Sequence, residues 1–137
     1  METQKNLKII AKQLISRALN KLSAAKKLLE TGFYDDAISR AYYSVFLASK
    51  ALLILLGEEA RSHKGIITLF GLRVVKENLL PMQYGKILTD LFNARQVSDY
   101  ETLVFYSKSD TETYISAAEE FIKKIIEILK EKFQTSL

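Results

Sequence analysis

The side chains best suited to chemistry lie in a short stretch that reads FNARQVSDYE, residues 92–101. Arg95 and Asp99 are four residues apart, the spacing of an ion pair on one helical face, and Tyr100 follows directly. A guanidinium can hold a phosphate through parallel hydrogen bonds, and a tyrosine ring can stack on a base. The stretch is therefore a candidate anion- or nucleotide-binding site, although a surface ion pair alone would also account for Arg95 and Asp99.

The position of Arg95 along its helix suggests a second role. Residues three, four and seven apart share one helical face, so Arg95 continues an apolar stripe of Leu88, Leu91 and Phe92. An apolar stripe of this kind would be exposed unless another surface covers it. We therefore expect a homodimer whose interface contains this stripe, with Asp99 as the local counter-charge of Arg95.

A second candidate segment reads RSHKG, residues 61–65. Ser62 is a good helix N-cap, and His63 and Lys64 follow it at the start of the predicted third helix. Free amides at a helix start, beside an imidazole and an ammonium group, could hold a phosphate. A lone histidine next to a cap is more often structural than ligand-binding. His63 and Lys64 are still candidate ligand-binding residues.

Residue composition excludes several kinds of active site. The chain has no cysteine and one histidine, which rules out thiolate chemistry and leaves no His-based metal motif. We expect no metal and no cofactor. A net charge of +4 permits an acidic partner such as RNA, but lysine and glutamate alternate along most segments and form no basic block.

Tyrosines are interleaved with small residues in AISRAYYSVFLASKALL, residues 37–53. Small side chains at helical spacing permit close packing, and buried tyrosines need a partner for the hydroxyl. The pattern is typical of a packed core helix. The alternative is a binding face for a base or a partner helix.

Apolar residues repeat at three- and four-residue spacing over most of the chain, and no segment alternates long enough to predict a strand. Helix boundaries are marked by Gly32, Gly57, Ser62, Pro81 and Ser109-Asp110. The sequence predicts an all-α fold, an up-and-down bundle of about five helices whose second helix is central because two of its faces are apolar. We expect residues 102–108 to form a loop or helix extension, with its aromatics either packed or at the surface.

The length of the chain and the composition of its N-terminus indicate how many domains it has and where in the cell it lies. With 137 residues, 48% of them hydrophobic, the chain is expected to form one domain over residues 1–137. The N-terminus METQKNLKII is too polar for a signal peptide, and no apolar run approaches the roughly 20 residues of a membrane span. We expect a cytoplasmic protein that does not cross a membrane.

Three segments together resemble the HEPN domain family. They are AYYSVFLASKALL, then SHKGIITLFG, then the alanine-arginine-glutamine turn that ends SDYE, in this order within a five-helix chain. The resemblance covers about nine-tenths of the chain and is closest to small stand-alone bacterial and archaeal members. It implies a dimeric helical bundle with the arginine segments at a shared cleft. Many such proteins pair with a minimal nucleotidyltransferase as toxin and antitoxin.

Active HEPN ribonucleases cut RNA without metal through an arginine followed, after four to six residues, by a histidine. Arg95 matches the arginine, but Tyr100 stands at the histidine position and no histidine follows His63. A phenol with a pKa of about 10 is a poor base for the RNA 2′-hydroxyl, whereas a phosphate can still bind Arg95. We therefore expect an RNA- or nucleotide-binding module with a degenerate ribonuclease motif and little or no cleavage.

Two alternatives stay open. One is an active ribonuclease toxin that uses Arg95 with Tyr100, Asp99 or His63 in place of the missing histidine, and the other is a purely structural helical adaptor. In pairs of this family the nucleotidyltransferase can also transfer AMP to a tyrosine near the arginine. Tyr100 and Tyr106 are the candidates for this modification, although Tyr100 could instead pack at a dimer rim.

Overall fold

The structure is a computed structural model that describes residues 2–100, without the side chain of Tyr100, and residues 105–137. Its helices are α1 Glu2–Glu30, α2 Tyr34–Leu55, α3 His63–Leu69, α4 Met82–Tyr100 and α5 Lys108–Phe133. A π-helical segment, Phe70–Val75, continues α3. The described residues include five α-helices and no strand, which confirms the predicted all-α fold.

The residues predicted to cap or terminate helices account for most of the observed helix ends. Gly32 and Gly57 adopt left-handed φ angles of +85° and +83° directly after α1 and α2, a conformation that glycine adopts without steric cost. Ser62 caps α3 as predicted. The start of α5 was predicted near Ser109-Asp110, but the helix begins at Lys108, because Ser107 and Asp110 form a reciprocal capping box.

Helix α2 lies at the centre of the bundle and packs against α1, α3, α4 and α5. Ile10 near the start of α1 lines the same pocket as Ile54 near the end of α2, and the two helices pack against each other, so they run antiparallel. Among the described helices, α2 alone is long and apolar enough to cross a membrane, and 67% of its apolar window is buried inside the bundle. Burial in the core accounts for its apolar character.

The apolar stripe of α4 faces the interior of its own subunit. Leu88 is 1% exposed and Leu91 is 0% exposed, and both belong to the main hydrophobic core. Phe92 is partly buried against the same core. The expectation that this stripe needs a second subunit to cover it is therefore wrong. The spacing identified an apolar face correctly, but the helices of the same bundle cover that face.

The connection between α2 and α3 is fastened by a side chain from the π-helical segment. The Arg73 guanidinium forms an ion pair with Glu58, donates to the Leu56 carbonyl at 3.4 Å and binds Glu77 at 3.1 Å. The pKa of Arg73 is raised by hydrogen bonds to Glu77 and Glu58. These contacts fix the residues that follow α2 close to the segment that follows α3.

The segment predicted as a loop or helix extension is described only in part. Residues 102–104, which include Val104, lie outside the described residues. Phe105, Tyr106 and Ser107 precede α5, and Phe105 is 79% exposed. For Phe105, the surface alternative is therefore the correct one.

Candidate functional site

Aromatic side chains from three helices meet around the middle of α2. Tyr42, Tyr43 and Phe46 come from α2, Phe92 comes from α4, and His63 opens α3. The Tyr42 ring centroid lies 5.5 Å from that of Tyr43, 5.7 Å from that of Phe92 and 5.6 Å from that of His63. We call this group, together with Arg95, the Arg95 cluster.

Arg95 lies against the two tyrosines of the cluster. Its guanidinium carbon is 4.9 Å from the ring centroid of Tyr43 and 5.6 Å from that of Tyr42, within the range of cation–π contacts. Its Nε atom lies 3.1 Å from Oδ2 of Asp99, and the Arg95 side chain is 22% exposed. The predicted Arg95–Asp99 ion pair is therefore present.

The ion pair leaves a hydrogen-bonding group of Arg95 without a partner. Nε is buried and has no hydrogen-bond partner among the described residues, because its N–H is not directed at Asp99 despite the short distance. A buried donor without a hydrogen bond costs free energy, which the ionic contact with Asp99 partly offsets.

His63 reaches the same two tyrosines as Arg95. The hydroxyl of Tyr42 lies 2.6 Å from Nδ1 of His63, and the His63 ring is 4.5 Å from the ring of Phe46 and 5.8 Å from that of Tyr43. Burial and the positive charge of Arg95 lower the pKa of His63 below its ordinary value of 6.5. The structure thus brings together two candidate residues that are distant in sequence.

The N-terminus of α3 is capped by hydrogen bonds within the protein. The Ser62 hydroxyl accepts a hydrogen bond from the Gly65 amide at 2.9 Å, and the Ser62 carbonyl accepts from Ile66. A Cβ at position 65 would lie 2.9 Å from the Ser62 oxygen, so glycine permits this close cap. Lys64 is exposed, and no described contact joins it to the cluster. The cap positions His63.

The two tyrosines predicted as modification sites, one at the end of α4 and one just before α5, lie in different surroundings. Tyr100 is the last residue of α4, and its side chain lies outside the described part of the structure. Tyr106 packs edge-on against Tyr114 at 5.8 Å and lies beside Asp35. Burial raises the pKa of the Tyr106 hydroxyl.

Sequence reasoning missed Tyr42 and Tyr43 as residues of the site. Their interleaving with small side chains was interpreted as core packing, which is correct for Tyr42, because it is 0% exposed. Tyr43 is half-buried and also lines a cavity of about 450 Å³ with Leu28, Asp36, Ser39 and Arg40. The sequence signal that could have identified both residues was the alternative interpretation of this tyrosine-rich segment as a binding face.

Folding stability should depend on the protonation of His63. Its lowered pKa means that the unfolded chain binds a proton more readily than the folded protein does, so stability is fully present above pH 6.5 and falls as the pH drops below it. His63→Gln should flatten this dependence, because the chain has a single histidine. Urea unfolding of both proteins above and below pH 6.5 measures the difference. Equal pH dependence in the two proteins would contradict the prediction.

Comparison with known proteins gives a consistent match. The model of the HEPN domain matches residues 11–129. A protein of Methanocaldococcus jannaschii described as "Putative toxin" is 41% identical over 118 residues, 86% of this chain and 87% of that protein. A second protein of that organism with the same description is 31% identical over 112 residues, 82% of this chain and 76% of that protein. A "UPF0332 protein" of Pyrococcus horikoshii is 36% identical over 130 residues, 94% of this chain and 75% of that protein.

Proposed function

The chain belongs to the HEPN domain family, and from this membership we propose that it is a toxin-like protein that binds RNA or a nucleotide at the Arg95 cluster. Two of its relatives carry the description "Putative toxin". The observation that carries the proposal is the environment of Arg95, whose guanidinium lies against two tyrosine rings while its side chain keeps 22% of its surface exposed. Such a group can bind a phosphate strongly.

The surroundings of Arg95 suit a nucleotide in two further respects. The Tyr43 ring is partly accessible beside the guanidinium and offers an aromatic face to a base. The adjoining cavity of about 450 Å³ is lined by the charged side chains of Asp36 and Arg40 and by the Ser39 hydroxyl. Its volume lies within the range of about 300–1,000 Å³ that is usual for ligand sites.

The same environment favours binding over cleavage. Metal-independent RNA cleavage needs one group that takes a proton from the 2′-hydroxyl and another that protonates the leaving oxygen. Tyr100 stands where the family motif has histidine, and the lowered pKa of His63 disfavours the protonated imidazole that could act as an acid. We infer that catalysis is weak or absent.

An active ribonuclease toxin is the second candidate function. The observation that favours it is the contact of both His63 and Arg95 with the same pair of tyrosines. In this alternative Arg95 would stabilise the phosphate charge, and His63, Asp99 or Tyr100 would replace the motif histidine.

Incubation of the purified protein with a labelled, structured RNA that carries single-stranded loops tests the proposal. We expect saturable binding in EDTA with little or no cleavage, and any residual cleavage should survive His63→Ala. Robust cleavage that is abolished by Arg95→Ala or by His63→Ala would establish the second candidate instead. Absence of RNA or nucleotide binding under low salt would contradict both.

We also propose that the protein is paired with a minimal nucleotidyltransferase in a toxin-antitoxin system. Such a partner could transfer AMP to Tyr100 or Tyr106, and we expect Tyr100 to be preferred, because Tyr106 packs against Tyr114 and its pKa is raised by burial. Mass spectrometry after incubation with the partner, ATP and magnesium would map the adduct. An active partner that leaves both tyrosines unmodified would rule out this form of control.

We propose further that residues 1–137 act as one domain and that the protein is a cytoplasmic homodimer. The core position of Leu88 and Leu91 removes these residues as the apolar centre of an interface. Arg95 and its neighbours Gln96 and Val97 are partly exposed on α4, which leaves this helix end as the proposed meeting point of the two subunits.

A further inference from the structure

Tyr42 lies entirely inside the bundle, yet its polar end is directed at the candidate site. It is 0% exposed, and its ring contacts Tyr43, Phe46 and Phe92. Its hydroxyl lies 2.6 Å from Nδ1 of His63, which is its one hydrogen-bond partner within residues 2–100 and 105–137. A buried hydroxyl held this way can control the protonation of the imidazole.

The direction of this hydrogen bond follows from counting protons. The hydroxyl carries one proton, and if Nδ1 also carried one, the O–H group would be buried with no described acceptor. The hydroxyl therefore donates, and Nδ1 accepts. Burial raises the pKa of Tyr42, so the phenol keeps its proton at neutral pH. The neutral imidazole then carries its own proton on Nε2.

We propose that Tyr42 is a positioning residue that holds His63 as a neutral Nε2–H donor in the cluster where Arg95 contacts the same two tyrosines. Resting on the proposed binding of RNA or a nucleotide, this arrangement lets one phosphate take an ionic contact from Arg95 and a hydrogen bond from His63. The imidazole has no free lone pair in this state, because Tyr42 occupies Nδ1 and a proton occupies Nε2. His63 is consequently a ligand-binding group and a poor general base.

The charged and titratable groups around His63 support the neutral state. Arg95 approaches from α4, and Tyr42 and Tyr43 approach from α2. A second positive charge beside Arg95 would be repelled, and the phenols offer no negative charge to compensate it. The site can therefore supply the Arg95 guanidinium, whose charge is partly balanced by Asp99, and one neutral donor.

Long-range ¹H–¹⁵N NMR of the free protein tests the proton position directly, because the single histidine gives one unambiguous set of ring signals. We expect the wild type to show the Nε2–H pattern at neutral pH. Tyr42→Phe should yield a mixture of tautomers and raise the pKa of His63, because the donor that stabilises its neutral form is lost. Arg95→Ala should also raise this pKa. A wild-type Nδ1–H pattern, or an unchanged spectrum in Tyr42→Phe, would overturn the proposal.

Binding of a labelled single-stranded RNA supplies the second arm of the test. Tyr42→Phe should weaken affinity about twofold to tenfold, the loss expected when one hydrogen-bonding group is no longer held in place. Tyr84→Phe is the matched control, since Tyr84 is also buried but packs against Phe121. If the wild type binds RNA and Tyr42→Phe binds equally well, the positioning role is wrong. If the wild type binds no RNA, the proposed function fails, whereas the NMR result still decides the tautomer.

Discussion

Replacing Arg95 with alanine is expected to weaken binding of a single-stranded RNA oligonucleotide about tenfold to a hundredfold, the usual range for loss of hydrogen bonds to a charged group. Arg95 combines a positive charge, a planar fork and contacts with the faces of two tyrosines. The slope of log affinity against log salt should also become shallower by about 0.7, because one phosphate contact is lost. Fluorescence anisotropy at several salt concentrations measures both quantities.

Two further variants separate the charge of Arg95 from its shape. Arg95→Lys keeps the charge but loses the planar fork, so it should recover only part of the affinity. Lys123→Ala removes an exposed positive charge on α5, outside the cluster and its adjoining cavity, and should leave affinity within a factor of about two. If Lys123→Ala and Arg95→Ala weaken binding equally, then general positive charge explains the interaction and the cluster has no special role.

Replacing Leu91 with alanine is expected to lower the free energy of unfolding by about 2–5 kcal/mol. Leu91 is 0% exposed within one subunit, so truncation removes buried apolar area and leaves a cavity in the core. Had the stripe of Leu88, Leu91 and Phe92 formed a subunit interface, the same change would mainly weaken association. Urea unfolding, combined with sedimentation of the folded protein, distinguishes the two effects.

The matched control for this change is Leu19→Ala on α1. Leu19 is 43% exposed, and its truncation should change the free energy of unfolding by no more than about 0.5 kcal/mol. The oligomeric state of Leu91→Ala should equal that of the wild type under native conditions. Dissociation of a wild-type dimer by Leu91→Ala, without loss of subunit stability, would contradict the core position of this residue.

The fold could be predicted from the sequence because local signals mark its boundaries. Gly32 and Gly57 end helices through left-handed backbone conformations, and Ser62 supplies an N-cap. These signals depend on a few neighbouring residues. The cover over the stripe of Leu88 and Leu91 could not be predicted, because periodicity reveals that a face is apolar and does not reveal which surface covers it.

The candidate site was predicted only in part for a related reason. The Arg95–Asp99 pair is local, since four residues make one helical turn, and it was identified correctly. The approach of His63 depends on how α3 packs against α2, which no spacing within the sequence encodes. The α3 cap and the hydroxyl of Tyr42 then fix the imidazole at the cluster. The alternative that His63 enters the site from elsewhere in the fold thereby gains support.

The most direct test of the central claim follows the ring signals of His63 while a short single-stranded RNA is added to the labelled protein. The single histidine lies against the same tyrosines as Arg95, so it reports on this site alone. If RNA binds at the cluster, the Nε2 and ring-proton signals of His63 should shift saturably, with the same dissociation constant that anisotropy gives. These RNA-induced shifts should be absent in Arg95→Ala. RNA binding that leaves the His63 signals unmoved would contradict the account, because the ligand would then occupy another surface.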